Sequence, residues 1–281
     1  EIDGITGTRA HSVLEAEALA GNGIVPVLVA ERICDTIRET VEARGRCVLG
    51  LATGSTPLGI YRELIRMHLA GEVDFARVLT FNLDEYYPMK PDSLHSYRRF
   101  MEENLFRYVN IAPDHAHVPD GAVARSDLPA YCEAYERDIV EAGGIDFQIL
   151  GIGRSGHIGF NEPGSPRESR TRLITLDTIT RKDAASDFFG EDNVPTEAIT
   201  MGIASILEAR EIALIATGEH KAPVVRRAVE EEPSADVTAS YLQQHPAATV
   251  WLDEAAAGFR TYYRCAVDPT FNCPLFVPPD E

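Results

Sequence analysis

The sequence predicts an α/β protein built on one mostly parallel sheet with helices on both faces. Apolar runs of strand length alternate along the chain with amphipathic segments of helical length. The strand-length runs are continuous in Val, Ile and Leu, which is typical of parallel strands buried on both faces. Helical segments stand between most of these runs, as the crossover connections of a parallel sheet require.

Each predicted element follows from the spacing of its apolar residues. The predicted strands span residues 26–30, 47–52, 78–83, 147–152, 212–216 and 249–252. The predicted helices span residues 32–43, 58–69, 96–108, 128–141, 198–209, 221–231 and 235–243. Ligands of such sheets bind beyond the carboxyl ends of the strands, so the site is expected in the loops that follow them.

The chain of 281 residues is long enough for one large domain with a buried core. We predict a single α/β domain over residues 25–265, preceded by an N-terminal extension over residues 1–24 that is expected to be helical. Residues 266–281 contain several prolines and are predicted to form an irregular C-terminal tail. The polar segment 162–195 is predicted to be a flap over the site, because long loops in compact domains usually serve function.

Charge and composition argue against several classes of protein. The formal net charge of −18 offers no basic footprint, so no nucleic-acid partner is expected. The sequence contains no apolar stretch of about 18 residues, so no membrane-spanning helix is predicted. The odd set of cysteines lacks a CxxC pair, which argues against a zinc site or a disulfide framework and favours buried thiols in a cytoplasmic protein. These cysteines are Cys34, Cys47, Cys132, Cys265 and Cys273.

A turn rich in glycine and hydroxyl residues follows the predicted strand 47–52. It contains Thr53, Gly54, Ser55 and Thr56, and Pro57 then occupies a favourable first-turn position of a helix. Backbone N–H groups at such a turn can bind an anion together with the helix N-terminus. The dinucleotide and P-loop patterns are absent, and the motif alone slightly favours an ordinary capped turn.

Two further strand ends carry titratable side chains. Asp84 and Glu85 close the predicted strand 78–83, and only one of them is expected to face a ligand, where it could act as a general base. Taken alone, the pair is explained as well by a turn cap or an arginine partner. His157 lies in a loop with four glycines after the predicted strand 147–152, and Glu162 could orient its ring.

Lys221 follows the predicted strand 212–216 and would start a helix beside the same edge of the sheet. An ammonium group there could meet a phosphate. A solvated surface lysine is the alternative.

Taken together, these segments resemble the glucosamine-6-phosphate deaminase/isomerase family, which belongs with the 6-phosphogluconolactonases. The resemblance rests on ordered blocks and covers about residues 25–260. The blocks lie at residues 51–57, 81–86, 156–163, 169–172 and 220–222, with a further match at 241–246.

The resemblance implies a modified Rossmann-like sheet, no metal and no organic cofactor. It implies a small-molecule sugar phosphate as partner, amino-sugar catabolism as the setting, and makes a homo-oligomer plausible. Asp84 matches the base that moves a proton between C2 and C1 of the open-chain sugar, His157 the group that opens the ring, and Glu162 its support. The matches to the phosphate site are Thr53, Gly54, Ser55, Thr56 and Lys221.

The sequence departs from the family pattern at two site positions. Ser155 stands where an aspartate is expected beside the histidine; its hydroxyl can accept a hydrogen bond from the imidazole, but it carries no charge. Asp187 replaces an arginine of the phosphate site, and Arg181 or Lys182, one or two turns earlier, is the predicted substitute. Ile174 replaces a basic residue of the family's allosteric site, so the usual activator is not expected to act.

Three functions remain open at this point. The leading one is conversion of glucosamine 6-phosphate to fructose 6-phosphate and ammonia. A 6-phosphogluconolactonase would share the histidine loop but would need no base at C2. A sugar-phosphate sensor would keep the anion site without turnover, and the departures at Ser155 and Asp187 keep that alternative open.

Overall fold

The structure, a computed structural model, describes residues 15–19 and 23–258. The strands in these ranges are β1 (Glu15–Leu19), β2 (Cys47–Leu51), β3 (Val78–Asn82), β4 (Asp84–Tyr87), β5 (Ala116–His117), β6 (Phe147–Gly151), β7 (Arg172–Thr175), β8 (Glu197–Thr200), β9 (Glu211–Ala216) and β10 (Ala248–Asp253). Seven of them form one sheet in the order β1-β10-β9-β6-β2-β3-β5, and each neighbouring pair is parallel.

Helices flank this parallel sheet. They are α1 (Ile24–Arg44), α2 (Leu58–Leu69), α3 (Tyr97–Asn104), α4 (Leu128–Ala142), α5 (Thr178–Ala184), α6 (Ile203–Leu207), α7 (Ala222–Glu230) and α8 (Glu254–Ala257). Short 3₁₀ segments lie at Phe106–Tyr108, Pro113–His115, Glu191–Asn193, Glu219–Lys221 and Thr238–Gln244. Within the described ranges, no helix is both long and apolar enough to cross a bilayer.

The predicted fold class is confirmed. The strands predicted at residues 47–52, 78–83, 147–152, 212–216 and 249–252 are β2, β3, β6, β9 and β10. All five residues of β2 are buried, as expected of a strand covered on both faces. The apolar core packs along this sheet and includes Leu49, Phe81, Ile149 and Leu214.

The strand predicted at residues 26–30 is wrong, because this segment is the first part of α1. Val25, Val29 and Ile33 are fully buried, and their spacing of four places them on one face of the helix. Pro26 stands in the first turn, where its missing N–H group costs no helical hydrogen bond. A short run rich in valine could not be distinguished from a strand by composition.

The helical prediction for residues 1–24 is wrong for Glu15–Leu19, which form β1 and pair in parallel with β10. Residues 1–14 and 20–22 lie outside the described residues, as does the tail predicted at 266–281. The domain predicted over residues 25–265 is described as far as residue 258.

A second sheet, absent from the prediction, is formed by β4, β8 and β7 in that order, and its pairs are antiparallel. The predicted helix at residues 198–209 therefore begins as strand β8 and becomes helical only at α6. Gly202 separates the two because a Cβ atom there would lie 2.1 Å from the Ser169 carbonyl oxygen. The predicted flap at residues 162–195 contributes β7 and α5.

Two further predicted helices and the predicted burial of the thiols agree more closely with the structure. The predicted helix at 96–108 is α3 followed by a 3₁₀ turn, and the one at 235–243 is the 3₁₀ segment Thr238–Gln244. Cys34, Cys47 and Cys132 are buried free thiols, as predicted. Cys265 and Cys273 lie outside the described residues.

Candidate functional site

A cavity of about 230 Å³ opens beyond the carboxyl ends of β2, β3 and β6. The loop after β2 contributes Thr53, Gly54, Ser55 and Thr56, the chain after β3 contributes Asp84, and the loop after β6 contributes His157. Three separate strand ends therefore converge on one cavity, as the position rule for parallel sheets predicts.

A larger and more open groove of about 1000 Å³ lies between α4 and β7. Its lining includes Leu128, Cys132 and Val140 but none of the predicted catalytic residues. Volume alone does not identify a reactive site, and the chemistry points to the smaller cavity.

The predicted anion cradle is the turn after β2, residues 53–56, which lines the cavity. Gly54 adopts a positive φ of 90°, which turns the chain sharply between the strand and α2. The Tyr61 hydroxyl donates to the Ala52 carbonyl at 2.5 Å and holds the end of the strand in place. Free N–H groups at the start of α2 and the hydroxyl groups of Ser55 and Thr56 are available to an anion.

Asp84 is the first residue of β4 and is only 7% exposed. Among the described residues, no hydrogen-bond donor or cation pairs with its carboxylate. Burial, and then repulsion from Glu85, raises the pKa of Asp84 to about 8. A buried carboxyl group without a partner, facing a cavity, is a candidate general base.

The neighbouring Glu85 faces away and has a structural role. Its carboxylate accepts hydrogen bonds from the Ser96 hydroxyl at 2.8 Å and from the N–H groups of Tyr97 and Arg98 at 3.0 and 3.1 Å. These donors stand at the N-terminus of α3, so Glu85 caps this helix. Of the two adjacent acids, Asp84 lines the cavity and Glu85 does not.

The His157 ring is held through one of its nitrogens. Nδ1 lies 2.8 Å from the Ser155 hydroxyl oxygen and 3.2 Å from Glu162 Oε2. Burial tends to raise the pKa of Glu162, but interactions with His157, Thr180 and the Asp177 N–H outweigh it and lower that pKa. Nδ1 therefore hydrogen-bonds the Ser155 hydroxyl and has the Glu162 carboxylate beside it, and neither of these groups contacts Nε2.

Close packing in this loop requires glycine at position 153. A Cβ atom on Gly153 would lie 2.1 Å from His157 Nε2, so the ring rests directly on the backbone. The Phe160 N–H donates to the Thr200 hydroxyl at 3.0 Å, and Thr200 of β8 pairs with Asp84 of β4. The second sheet therefore connects the histidine loop to the strand that carries Asp84.

The two predicted cations of the phosphate site differ in position. Lys221 Nζ donates to the Ile152 carbonyl at 2.7 Å, at the strand end that lines the cavity. Burial lowers the pKa of Lys221. Arg181 belongs to α5, donates to the Glu191 carbonyl at 3.1 Å and does not line the cavity, so the structure does not bring it to the cradle.

Tyr97 lines the cavity and was not identified from the sequence. Its phenol interacts with Thr53 of the cradle and with Tyr86, and burial raises its pKa well above the ordinary value. A tyrosine at the start of a predicted helix gives no local sign that the helix points into a site. Its position depends on the capping of α3 by Glu85, which is a tertiary contact.

Among the described residues, no group of three His, Cys, Asp or Glu side chains is arranged to hold a metal ion. The chemistry available from the described cavity is proton transfer by a carboxyl group and an imidazole beside an anion cradle.

Comparison with known proteins identifies similar chains. A family model described as glucosamine-6-phosphate isomerases/6-phosphogluconolactonase matches residues 26–251. The chain is 47% identical over 251 residues to glucosamine-6-phosphate deaminase 2 of Giardia intestinalis, covering 88% of this chain and 93% of that protein. It is 50% identical over 224 residues to glucosamine-6-phosphate deaminase 2 of Bacillus subtilis (strain 168), covering 79% and 89%.

Among solved structures, the chain is similar to a monomeric glucosamine-6-phosphate deaminase. The TM-score is 0.83 at 40% sequence identity, and the match covers 88% of this chain and 100% of that one.

Proposed function

The chain belongs to the family of glucosamine-6-phosphate isomerases and 6-phosphogluconolactonases, and from that premise we propose that it converts glucosamine 6-phosphate and water to fructose 6-phosphate and ammonia. The observation that carries this proposal is Asp84, a buried carboxyl group with no hydrogen-bond or ion-pair partner among the described residues, in the cavity that also contains His157 and the Thr53–Thr56 cradle. We also infer a role in amino-sugar catabolism in the cytoplasm.

The phosphate of the substrate binds the cradle at Thr53, Gly54, Ser55 and Thr56. Backbone N–H groups and the α2 N-terminus hold its charge, and Lys221 approaches it from the end of β6. Anchoring the phosphate fixes the distance of C1 and C2 from the catalytic groups, which is the entropic contribution to the rate.

His157 opens the sugar ring. Its Nε2 carries a proton between the C1 hydroxyl and the ring oxygen, while Ser155 and Glu162 hold Nδ1. Both supports contact the same nitrogen, so Ser155 is not arranged as a nucleophile activated by the imidazole. In a hydrolytic triad the acid and the serine contact opposite ring nitrogens.

Asp84 then removes the proton from C2 of the open-chain sugar and returns it to C1, while a proton of the C2 ammonium group passes to O1, so that C1 becomes a hydroxymethyl group and C2 an imine. The ammonium group on C2 of the incoming substrate favours the ionised carboxylate, because an opposite charge lowers the pKa of a carboxyl group. The resulting imine at C2 reacts with water and releases ammonia, leaving the ketone of fructose 6-phosphate.

The lactonase alternative is less well supported. Hydrolysis of a lactone transfers no proton from carbon, so it gives no reason to hold Asp84 buried and without a partner at the cavity. The sensor alternative is compatible with the same geometry, and only an assay of turnover separates it from the proposal.

Substitution Asp84→Asn tests the proposal. Ammonia and fructose 6-phosphate are measured with purified protein and glucosamine 6-phosphate. We expect release of ammonia to fall by about 10²–10⁴-fold, the usual contribution of a general base. The matched control is Asp138→Asn on the exposed face of α4, which is expected to leave the rate unchanged.

Two results would contradict the proposal. One is hydrolysis of 6-phosphogluconolactone without ammonia from glucosamine 6-phosphate, which favours the lactonase. The other is saturable binding of a panel of sugar phosphates with no turnover, which favours the sensor.

A further inference from the structure

In the part of the chain that the structure describes, no lysine or arginine side chain lines the cavity, and Lys221 contacts its edge through the Ile152 carbonyl. Asp187 stands where the family pattern has an arginine, and it is exposed. Arg181 donates to the Glu191 carbonyl within the flap segment and does not line the cavity. Lys221 is therefore the one predicted cation of the site that reaches the strand end.

Arg154 lies in the catalytic loop, between Gly153 of the cavity lining and Ser155, which contacts His157. Its guanidinium Nη2 lies 2.8 Å from Asp183 Oδ1 on α5 of the flap. The two side chains are 63% and 44% exposed. An ion pair as exposed as this one is weak, so a stronger anion can compete for the arginine.

None of the Arg154, Asp183 and Lys221 side chains lines the cavity itself, but Arg154 follows Gly153 of the lining, and Lys221 donates to the carbonyl of Ile152, another lining residue. Burial lowers the pKa of Lys221, the Asp183 carboxylate partly offsets this, and the Arg154 guanidinium adds to it. Both cations thus belong to residues next to the cavity lining, and Asp183 is the anion that pairs with Arg154. A bound phosphate dianion in the same place would take over the role of Asp183.

We propose that Arg154 is the second cation of the phosphate site and that Asp183 occupies it until the phosphate of the substrate displaces the carboxylate. This inference rests on the phosphate site of the proposed function. A guanidinium can bind two oxygens of a phosphate at once, and it can bind the two oxygens of a carboxylate in the same way. The phosphate carries the larger negative charge, so it is the stronger partner. A sugar without phosphate cannot compete with Asp183, so the exchange contributes to selection of phosphorylated substrates.

The exchange also links binding to the flap. Before substrate binds, the pair with Asp183 ties α5 to the catalytic loop, and the Asp177 N–H at the start of α5 donates to Glu162 at 3.1 Å. Release of Asp183 removes the first tie and leaves the second. Glu162, which supports His157, then still holds the start of α5 through the Asp177 N–H.

Equilibrium binding of inorganic phosphate, measured by calorimetry at fixed ionic strength, tests this inference without turnover. Arg154→Ala is expected to weaken phosphate binding about tenfold, and Arg154→Lys less, because lysine keeps the charge but not the two-pronged geometry. Asp183→Asn is expected to strengthen it about threefold, because it removes the competing carboxylate. A gain in affinity cannot result from a damaged fold.

The double variant Arg154→Ala/Asp183→Asn should bind phosphate like Arg154→Ala alone, because Asp183 acts only through Arg154. Matched controls are Arg125→Ala and Glu197→Gln, which disrupt another arginine–glutamate pair with a contact of 2.7 Å outside the cavity. These controls change the net charge equally and should leave phosphate binding unchanged.

Unchanged phosphate binding in Arg154→Ala, or weaker binding in Asp183→Asn, would overturn the inference. Failure of the proposed reaction gives a different result. In that case no ammonia forms from glucosamine 6-phosphate, while the order of phosphate affinities among the variants still holds.

Discussion

Asp84 is held where its ionised form is disfavoured. The carboxyl group is 7% exposed, lies next to Glu85 and has no described cation as partner, so its pKa rises to about 8. A site that raises the pKa of a carboxyl group so far reduces the stability of the folded protein near neutral pH. Such a cost is expected of a residue retained for its chemistry.

The raised pKa of Asp84 predicts an unusual dependence of the protein's stability on pH. Because the pKa is higher in the folded state, that state binds more protons above pH ~4, and stability falls as pH rises from there to about 8. Asp84→Asn removes this fall. We expect the variant to be more stable than the wild type at pH 8 by a few kcal/mol, with a smaller difference at pH 5.

Urea unfolding of both proteins at the two pH values measures this difference. Asp138→Asn is the control, since its exposed carboxyl group should give no pH-dependent gain. An Asp84→Asn variant that is less stable than the wild type at pH 8 would show that the carboxylate is stabilised rather than strained.

Local sequence patterns identified most of the polar side chains that line the cavity. Thr53–Thr56, Asp84 and His157 all follow apolar strands, and the parallel sheet brings such positions to one edge. The sequence could not show that Arg181 pairs within the flap or that Arg154 pairs with Asp183. Both contacts join residues from different elements, and no local spacing reports them.

At the scale of elements, α3 and the turn before it depend on one buried carboxylate. Glu85 accepts hydrogen bonds from the Ser96 hydroxyl and from the N–H groups of Tyr97 and Arg98. α3 carries Tyr97 into the cavity, so this cap has a structural effect on the site. A neutral amide in place of the carboxylate would present its NH₂ group to some of these N–H donors.

Glu85→Gln should therefore destabilise the protein by about 1–3 kcal/mol, the cost of leaving buried hydrogen-bond groups unsatisfied. Urea unfolding measures the loss. Glu103→Gln on the same helix is the matched control, because Glu103 makes an exposed pair with Arg99 and should change stability by less than about 0.5 kcal/mol. Equal effects of the two substitutions would mean that Glu85 does not cap α3.

The elements that the sequence predicted well are those that local patterns specify. Continuous apolar runs identified β2, β3, β6, β9 and β10, because strands that are buried on both faces consist mostly of apolar residues. The second sheet was not predicted. β4 consists of Asp84, Glu85, Tyr86 and Tyr87, and its two leading acids are not typical of a strand. All four residues are buried because β8 and the neighbouring loops cover them.

At the scale of the whole molecule, each of the two sheets positions a different part of the candidate site. The parallel sheet brings the cradle and the histidine loop to one edge, and the antiparallel sheet fixes Asp84 against that loop through Thr200. The flap segment joins the same arrangement through β7, through Glu162 and through the Arg154–Asp183 pair.

A crystal structure of the Asp84→Asn variant with glucosamine 6-phosphate tests this arrangement most directly. We expect the phosphate on the backbone N–H groups of residues 53–56, and the side chain at position 84 within about 3–3.5 Å of C1 and C2 of the sugar, as a reactive geometry requires. A phosphate bound elsewhere, or a sugar whose C2 points away from position 84, would contradict the account.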